Sequence, residues 1–241
     1  MLSDRQIQLL NAIIKEYIET SEPVGSQVLV KKYKLKYSPA TVRNEMAHLL
    51  EEGFLDMLHT SSGRVPTSMA YRLFLNELME EEEMPVLQEV AMKQRLWPSR
   101  FEFERMLRQA VIALSENTKE LAIATTFDGH VVHAGAVNVL DNKEFWDIEV
   151  ARATLHLLDR YELLEQVFEQ AAEGNDIRCV IGDEIGHEKL ESCGIVFSEY
   201  SIGPNRKGYI AVLGPARMRY HQVLPAVRYT KHLIEELGGS W

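Results

Sequence analysis

The stretch Ser38–Gly53, SPATVRNEMAHLLEEG, is the part of the sequence that decides the fold. Its ends carry helix signals: Ser38 can accept hydrogen bonds from the first free amides, Pro39 suits the first helical position, and Gly53 can adopt the left-handed conformation that ends a helix. At 100° per residue, the large apolar side chains fall on one face and the small or polar ones on the other. Such a helix fits a DNA major groove, which requires little bulk and side chains that can hydrogen bond to base edges.

The outer face of this helix carries the candidate contacts to bases. Arg43 and Asn44 are the best candidates for bidentate hydrogen bonds to base edges, and Thr41 and His48 lie on the same side. Ser38 and the positive end of the helix are suited to a phosphate group. The stretch is therefore predicted to read a DNA sequence.

The net charge of −10 is unevenly distributed along the chain. Residues 1–72 contain 9 Lys or Arg and 8 Asp or Glu, whereas residues 73–241 contain 17 and 28. Between Glu22 and Glu45 there is no acidic residue, and the interval holds the basic residues Lys31, Lys32, Lys34, Lys36 and Arg43. A local basic patch beside the helix can contact phosphates, while an acidic remainder limits non-specific binding.

Two shorter patterns before the helix complete a DNA-binding motif. Residues 3–20 have a capping box at Ser3 and Gln6 and an apolar stripe of helical period, and residues 26–33 predict a short second helix after a turn. A short helix, a turn and a well-capped third helix make a helix-turn-helix, in which the third helix reads the groove.

A hairpin is predicted after Gly53. Residues 54–58 have a strand pattern, and a polar loop with a return strand follows. Thr60, Ser61 and Arg64 lie around a glycine in this loop. They are suited to phosphate contacts, and Arg64 could also enter the minor groove. The sequence therefore predicts a winged helix-turn-helix domain over residues 1–72.

The rest of the chain predicts an α+β sheet domain. A helix over 68–83 ends in a run of glutamates, and residues 73–98 are interpreted as a helical linker with the domain boundary at 84–98. Helices are predicted over 99–117, over 147–172 with a break near Asp159–Arg160, and over 216–237. Strands are predicted over 121–126, 130–140, 177–181, 194–202 and 209–213. Strands with helices at the ends and in the middle make an α+β domain over 99–241.

Composition excludes several classes of protein. The chain is 46% hydrophobic, enough for a sizeable core, and has neither an apolar run of membrane-spanning length nor a signal-peptide pattern, so we expect a cytoplasmic protein. Cys179 and Cys193 lie in apolar strand patterns and read as buried thiols. His130 and His133 point to opposite faces of a strand and would not share a metal. No catalytic or phosphate-loop motif occurs, so neither an enzyme nor a cofactor is expected.

Several longer motifs resemble one known family. They are EPVGS at 22–26, SPATVRNEM at 38–46 and HTSSGRVPT at 59–67, followed near the other end by IGDE at 181–184 and GPARMRY at 214–220. Together they resemble the HrcA family of bacterial heat-inducible transcription repressors over nearly the whole chain.

The resemblance implies a fold, a function and partners. The fold is a winged helix joined to a GAF-like domain, acting as a homodimer on double-stranded DNA at an inverted repeat called CIRCE, upstream of chaperone operons. A GroEL-type chaperonin keeps related repressors competent, and heat stress relieves repression. The alternative is a winged-helix regulator whose GAF-like domain senses a small-molecule effector.

The sequence departs from the family pattern at one place. Family members usually carry an inserted dimerising domain between segments resembled here by residues 122–126 and 134–138. Only residues 127–133 separate those segments in this chain. The chain therefore resembles a short form of the family, and the helix at 68–83 or the sheet domain would have to supply the dimer contact.

Overall fold

The computed structural model describes residues 2–57, 63–80, 82–170, 176–203 and 206–239. It divides into two compact units, Met1–Glu80 and Glu81–Trp241. Both units contain helices and strands, so the α+β class is confirmed. The functional division into residues 1–72, 73–98 and 99–241 stays a prediction.

The first unit consists of three helices, a short hairpin and a further helical segment. Its elements are α1 (Asp4–Thr20), α2 (Ser26–Lys32), α3 (Pro39–Glu51), β1 (Leu55–Asp56), β2 (Val65–Pro66), α4 (Ser68–Leu73) and a π-helical turn at Phe74–Leu78. The start of α1 has the predicted capping box of Ser3 and Gln6. The sequence also favours Ser26 as the N-cap of the second helix, but Gly25 is the N-cap and Ser26 is buried as the first helical residue.

The core of the first unit joins the three helices. Leu10, Ile13 and Ile14 of α1 are completely buried, as are Leu29 of α2 and Leu49 of α3. Each such side chain contributes about 1.5 to 3 kcal/mol relative to exposure. One face of α3 therefore packs against α1 and α2, and its other face stays exposed.

The hairpin is held to the helices by a backbone bridge. The two strands are antiparallel, with Leu55 opposite Pro66 and Asp56 opposite Val65. Beyond them, the amide of Val24 donates to the carbonyl of Arg64 and the amide of Arg64 to the carbonyl of Val24, both at 2.9 Å. The turn before α2 therefore acts as a third strand segment beside the hairpin.

The predicted helix over 68–83 is shorter in the structure. After α4 the backbone widens into a π-helical turn, in which the amide of Met79 donates to the carbonyl of Phe74 at 2.8 Å. Met79 itself is extended, which ends the helix. A continued helix would bring Glu77 close to Glu80, and like charges at this spacing are destabilising.

The second unit is a five-stranded sheet with helices on both faces. Its elements are α5 (Val86–Leu96), α6 (Phe103–Thr118), β3 (Leu121–Thr125), β4 (Val131–Ala134), α7 (Ile148–Leu158), α8 (Tyr161–Gln170), β5 (Arg178–Ile181), β6 (Cys193–Ser201), β7 (Lys207–Pro215) and α9 (Tyr220–Gly238). The strand order is β4-β3-β7-β6-β5, and every neighbouring pair is antiparallel.

The register of the sheet assigns its side chains to two layers. Ile123 pairs with Ala211, and Ala211 with Phe197, so these residues share one face, and they belong to a cluster that includes Leu164 and Phe168 of α8. Residues one position along the strands point to the opposite face, which α6 and α9 cover. The cysteine expectation is confirmed for Cys193, whereas Cys179 is half-buried.

One strand boundary in this unit was wrong. The strand predicted over 130–140 stops at Ala134, because Gly135 is left-handed with φ +78° and a Cβ there would lie 1.9 Å from Ser115 Oγ. Most of the segment 84–98, which stays a predicted domain boundary, is the helix α5. Arg95 of α5 donates to Gln109 of α6 at 3.1 Å.

A polar network lies at the start of β3, around Glu120. Arg217 donates to both carboxylate oxygens of Glu144, at 2.7 and 3.0 Å, and to Asn142 Oδ1 at 3.1 Å. Asn142 in turn donates to Glu120 Oε2 at 3.4 Å. Burial raises the pKa of Glu120 to about 8. The network explains why Arg217 follows β7: it ties the segment before α7 to the sheet.

Candidate nucleic-acid interface

The start of α3 has the geometry that its sequence predicts. Ser38 Oγ accepts from the amide of Thr41 at 3.1 Å, and Pro39 occupies the first helical position. The hydroxyls of Ser38 and Thr41 are also hydrogen bonded to each other at 2.9 Å. Gly53 ends the helix with φ +81°. The bounds of α3 are thus set by its own end residues.

The outer face of α3 presents the predicted base-reading groups. Arg43, Asn44 and His48 are exposed, and Thr41 is half-buried. Within the described part of the chain, neither Arg43 nor Asn44 makes a side-chain hydrogen bond or ion pair. His48 Nδ1 lies 3.5 Å from Glu51 Oε2. The donors of Arg43 and Asn44 therefore point to solvent without an internal partner.

Glu45 does not place its charge on this outer face. Its side chain is turned inward, with 8% of the residue exposed, and it pairs with Arg5 of α1. The guanidinium of Arg5 also lies over the ring of Tyr37, 5.5 Å from its centroid. An acidic residue in the middle of α3 is thus neutralised by a base from α1, which sequence analysis did not foresee.

The predicted lysine patch separates into two roles. Lys31, Lys34 and Lys36 are exposed and make no ion pair within the described residues. Lys32 Nζ instead lies 2.5 Å from Glu16 Oε2 and 2.6 Å from Glu19 Oε2, both on α1. These two hydrogen-bonded carboxylates raise the pKa of Lys32. Lys32 therefore joins α2 to α1, and three lysines remain directed to solvent.

Glu16 is the partner that sequence analysis missed. It is 6% exposed and accepts a hydrogen bond from Tyr33 Oη at 3.2 Å in addition to its pairing with Lys32. Burial and the neighbouring carboxylate of Glu16 raise the pKa of Tyr33 to about 12. The sequence did contain a signal for this pairing, because Glu16 lies three residues after Ile13 within an apolar stripe. A charge buried there requires a partner.

The structure describes one of the three predicted wing contacts. Arg64 is half-buried, and its backbone forms the bridge to Val24 at the base of the hairpin. Gly63 beside it packs so closely that a Cβ would lie 2.6 Å from backbone atoms of Pro23 and Val24. Thr60 and Ser61 lie outside the described residues.

No group of three or more His, Cys, Asp or Glu within the described ranges could hold a metal ion. His130 and His133 are both exposed, at the turn and on the edge strand β4. Over the described residues, no helix has the length and apolar character needed to cross a bilayer.

Known proteins similar to this chain point to one family. The profile of the HrcA protein C terminal domain matches residues 43–224. The chain is 26% identical to the heat-inducible transcription repressor HrcA of Acetivibrio thermocellus, an alignment that covers 98% of this chain and 96% of the relative. It is 27% identical to the HrcA of Pelotomaculum thermopropionicum, covering 98% and 97%.

A solved structure has a similar fold. It is the crystal structure of a hypothetical protein at 2.2 Å resolution, with a TM-score of 0.79 and 19% sequence identity. The match covers 100% of this chain and 99% of that one. At this identity the likeness concerns the fold alone.

The alignments with the relatives are longer than this chain. They run over 336 and 337 residues, whereas the chain has 241, so both relatives contain segments that have no counterpart here. Both relatives are named as transcription repressors. The family profile covers well over half of the sequence, and this chain therefore belongs to the HrcA family, whose matched members are heat-inducible transcription repressors.

Proposed function

We propose that this chain represses heat-inducible chaperone operons by binding, as a homodimer, to a CIRCE-type inverted repeat in double-stranded DNA. The first unit is then a winged helix-turn-helix, in which α2 and α3 form the motif and the β1–β2 hairpin forms the wing. The sheet of the second unit is the GAF-like part of this cytoplasmic regulator. Membership of the HrcA family supports the repressor role.

One observation carries the assignment of the reading helix. Arg43 and Asn44 are exposed on α3 without internal partners within the described residues. The next residue, Glu45, is turned inward and neutralised by Arg5. Arg and Asn are the side chains that pair in bidentate fashion with guanine and adenine edges. We therefore assign the base contacts to these two residues, with Thr41 and His48 beside them.

The phosphate contacts follow from the positions around α3. Lys31, Lys34 and Lys36 are exposed, and the free amides at the start of α3 carry the positive end of the helix dipole next to Ser38. Arg64, with Thr60 and Ser61, is assigned to the wing. Lys32 is assigned to positioning α2, because its ammonium group is occupied by Glu16 and Glu19.

A fluorescence-anisotropy titration tests the proposal directly. The full chain is titrated onto a CIRCE-type inverted repeat, one half-site and a scrambled duplex, each at two salt concentrations. We expect tighter binding to the full repeat and a steep fall of affinity with salt. Equal, weak binding to all three duplexes would contradict sequence-specific operator binding.

Two regulatory partners are proposed from the resemblance and tested in the same assay. Adding a GroEL-type chaperonin with ATP to heat-treated repressor should restore operator binding if the chaperonin maintains its fold. The alternative, a small-molecule effector bound by the GAF-like part, predicts instead that affinity for the operator changes with a metabolite extract and not with chaperonin.

A further inference from the structure

The helix α5 is apolar on both of its faces. Met92 and Leu96 are buried against the rest of the second unit. The opposite face exposes Leu87 by 85% and Val86 by 70%. At 100° per residue, the exposed apolar positions fall within one sector of the helix, with Gln94 as its polar member. They are Val86, Leu87, Val90, Ala91 and Trp97. We call these five residues the α5 outer stripe.

The stripe ends in an aromatic cluster around an arginine. Phe101 is 61% exposed, and the guanidinium of Arg100 lies 4.4 Å from the Trp97 ring centroid and 4.2 Å from that of Phe101. Arg100 donates to the Trp97 carbonyl at 2.8 Å, and within the described residues no carboxylate pairs with it. Exposed Trp and Arg side chains are the types most often found as energetic centres of protein interfaces.

The two ends of the stripe carry opposite charge. Glu82 and Glu83 are exposed just before α5 and line a groove with Arg228 and His232 of α9. The sequence places four consecutive glutamates here, so this end is acidic overall. Arg100 lies at the other end, about 22 Å from the start of α5 along the helical rise. The surface is therefore apolar in the middle, acidic at one end and basic at the other.

A surface of this kind is complementary to itself. In a two-fold symmetric contact, each residue meets its counterpart at an equal distance from the axis. An axis between Ala91 and Met92, at the centre of the stripe, brings Leu87 of one chain close to Trp97 of the other, and Glu83 close to Arg100. The small side chain of Ala91 allows the two helices to approach closely at the crossing.

We propose that the α5 outer stripe is the homodimer interface of this protein, formed by antiparallel pairing with the α5 of a second copy. The inference deepens the proposed function and rests on it, since a symmetric dimer is what matches an inverted repeat. In the described chain, β3 and β4 are joined only by Thr126–His130, which leaves no room for a dimerising insertion there.

A second exposed apolar region serves as the matched comparison. It includes Ile148, which is 67% exposed, together with Val137, Leu140 and Trp146. The exposed charges around it are mainly acidic, from Asp141, Asp147 and Glu149. Two copies of this region would bring like charges together.

Sedimentation equilibrium of the full chain without DNA tests the interface. We expect the parent to be a dimer, Leu87→Asp to raise the dimer dissociation constant at least about 100-fold, and Ile148→Asp to leave it unchanged. A monomeric parent would overturn the proposal. Dissociation by Ile148→Asp but not by Leu87→Asp would overturn it too, and would move the interface to the α7 side.

Charge reversal tests the antiparallel geometry and does not depend on the folding of the Leu87 variant. Arg100→Glu and the pair Glu82→Lys with Glu83→Lys should each weaken the dimer about tenfold, and the triple variant should recover most of that loss. If the two losses simply added in the triple variant, the predicted contact of Glu83 with Arg100 would be contradicted.

Half-site binding separates failure of this inference from failure of the proposed function. Leu87→Asp should bind a single half-site as the parent does and lose the preference for the full repeat. If the parent dimerises through α5 but binds no operator, the interface stands and the proposed function fails. If the parent binds the full repeat and Leu87→Asp does so equally well, the function stands and the interface fails.

Discussion

The two units of this protein use buried carboxylates in different ways. In the first unit, Glu16 and Glu45 are each neutralised by a base from another helix, Lys32 and Arg5. In the second unit, Glu120 is buried beside Arg217, whose guanidinium is hydrogen bonded to Glu144 and Asn142 and not to Glu120. The first arrangement holds helices together and keeps the charge of Glu45 off the outer face of α3. The second leaves an acid that holds its proton near neutral pH.

The outer faces of α3 and α5 also differ. Both helices bury one face, yet α3 exposes hydrogen-bonding groups and α5 exposes apolar ones. Hydrogen-bonding groups keep their water until a polar partner replaces it, whereas exposed apolar surface gains free energy from any dry contact. This contrast supports the proposals that the first unit binds DNA and that α5 contacts a protein surface.

The largest expected effect is a loss of stability in the first unit alone. Gly63→Ala places a Cβ 2.6 Å from backbone atoms of Pro23 and Val24, so the bridge between Val24 and Arg64 must open. We expect a loss of about 2 to 3 kcal/mol in local stability. Hydrogen–deuterium exchange of the full chain should show faster exchange in the hairpin and α1, and no change in the second unit.

Gly25→Ala is the matched control for that variant. Nothing lies within 4 Å of a Cβ at Gly25, so only the N-cap of α2 is affected, by less than about 1 kcal/mol. Equal exchange in the two variants would mean that close packing at Gly63 does not hold the hairpin.

The second expected effect concerns the outer face of α3. Asn44→Ala should lower the affinity for the operator by about 1 to 3 kcal/mol, or roughly 5- to 150-fold, and relax specificity at one base pair. The anisotropy titration measures it, with Asn76→Ala as control, since Asn76 is an exposed asparagine in the π-helical turn. If Asn44→Ala bound every duplex as tightly as the parent, α3 would not be the reading helix.

The third expected effect concerns Glu120 and sharpens the contrast between the units. Its pKa is raised to about 8 by burial, with Glu144 adding to the rise and Arg217 and Arg219 opposing it. The folded state therefore keeps a proton that the unfolded chain releases above pH 4.5. The stabilisation is fully present below that pH and is lost as the pH rises to about 8. We expect a loss on the order of 2 kcal/mol between pH 6 and pH 8.

Urea unfolding of the second unit, followed by tryptophan fluorescence, measures this dependence. Glu120→Gln cannot ionise and should flatten the decline, whereas Glu188→Gln, an exposed glutamate, should reproduce the parent. A parent curve that is flat between pH 6 and pH 8 would mean that Glu120 ionises in the folded state as it does in water.

The smallest expected effects separate two neighbouring lysines. Lys31→Ala should weaken binding to all duplexes alike and reduce the slope of the salt dependence by about one. Lys32→Ala should instead lower the melting temperature, because Glu16 would remain buried without its cation. Anisotropy at several salt concentrations and thermal unfolding decide between them. Identical behaviour of the two variants would contradict the division of the patch.

Sequence analysis recovered most elements but not all of their ends. The three helices, the hairpin strands, the break between α7 and α8, and the last three strands lie close to where their patterns predict. One error fell at Gly135, which is left-handed and lies so close to Ser115, distant in the chain, that a side chain would not fit there. The segment 84–98 was predicted as a domain boundary because it follows a run of glutamates and ends in Trp97–Pro98, and most of it is the helix α5.

For the candidate site, the sequence by itself determined which helix carries the reading groups. Ser38, Pro39 and Gly53 set the bounds of α3 through contacts within a few residues, and the period of its apolar side chains determined which face lies outside. Only the tertiary structure decided that Lys32 and Glu45 are occupied by partners on α1 and that α5 keeps an apolar outer face. The physical reason is distance along the chain, since Arg5 meets Glu45 only after two helices have packed together.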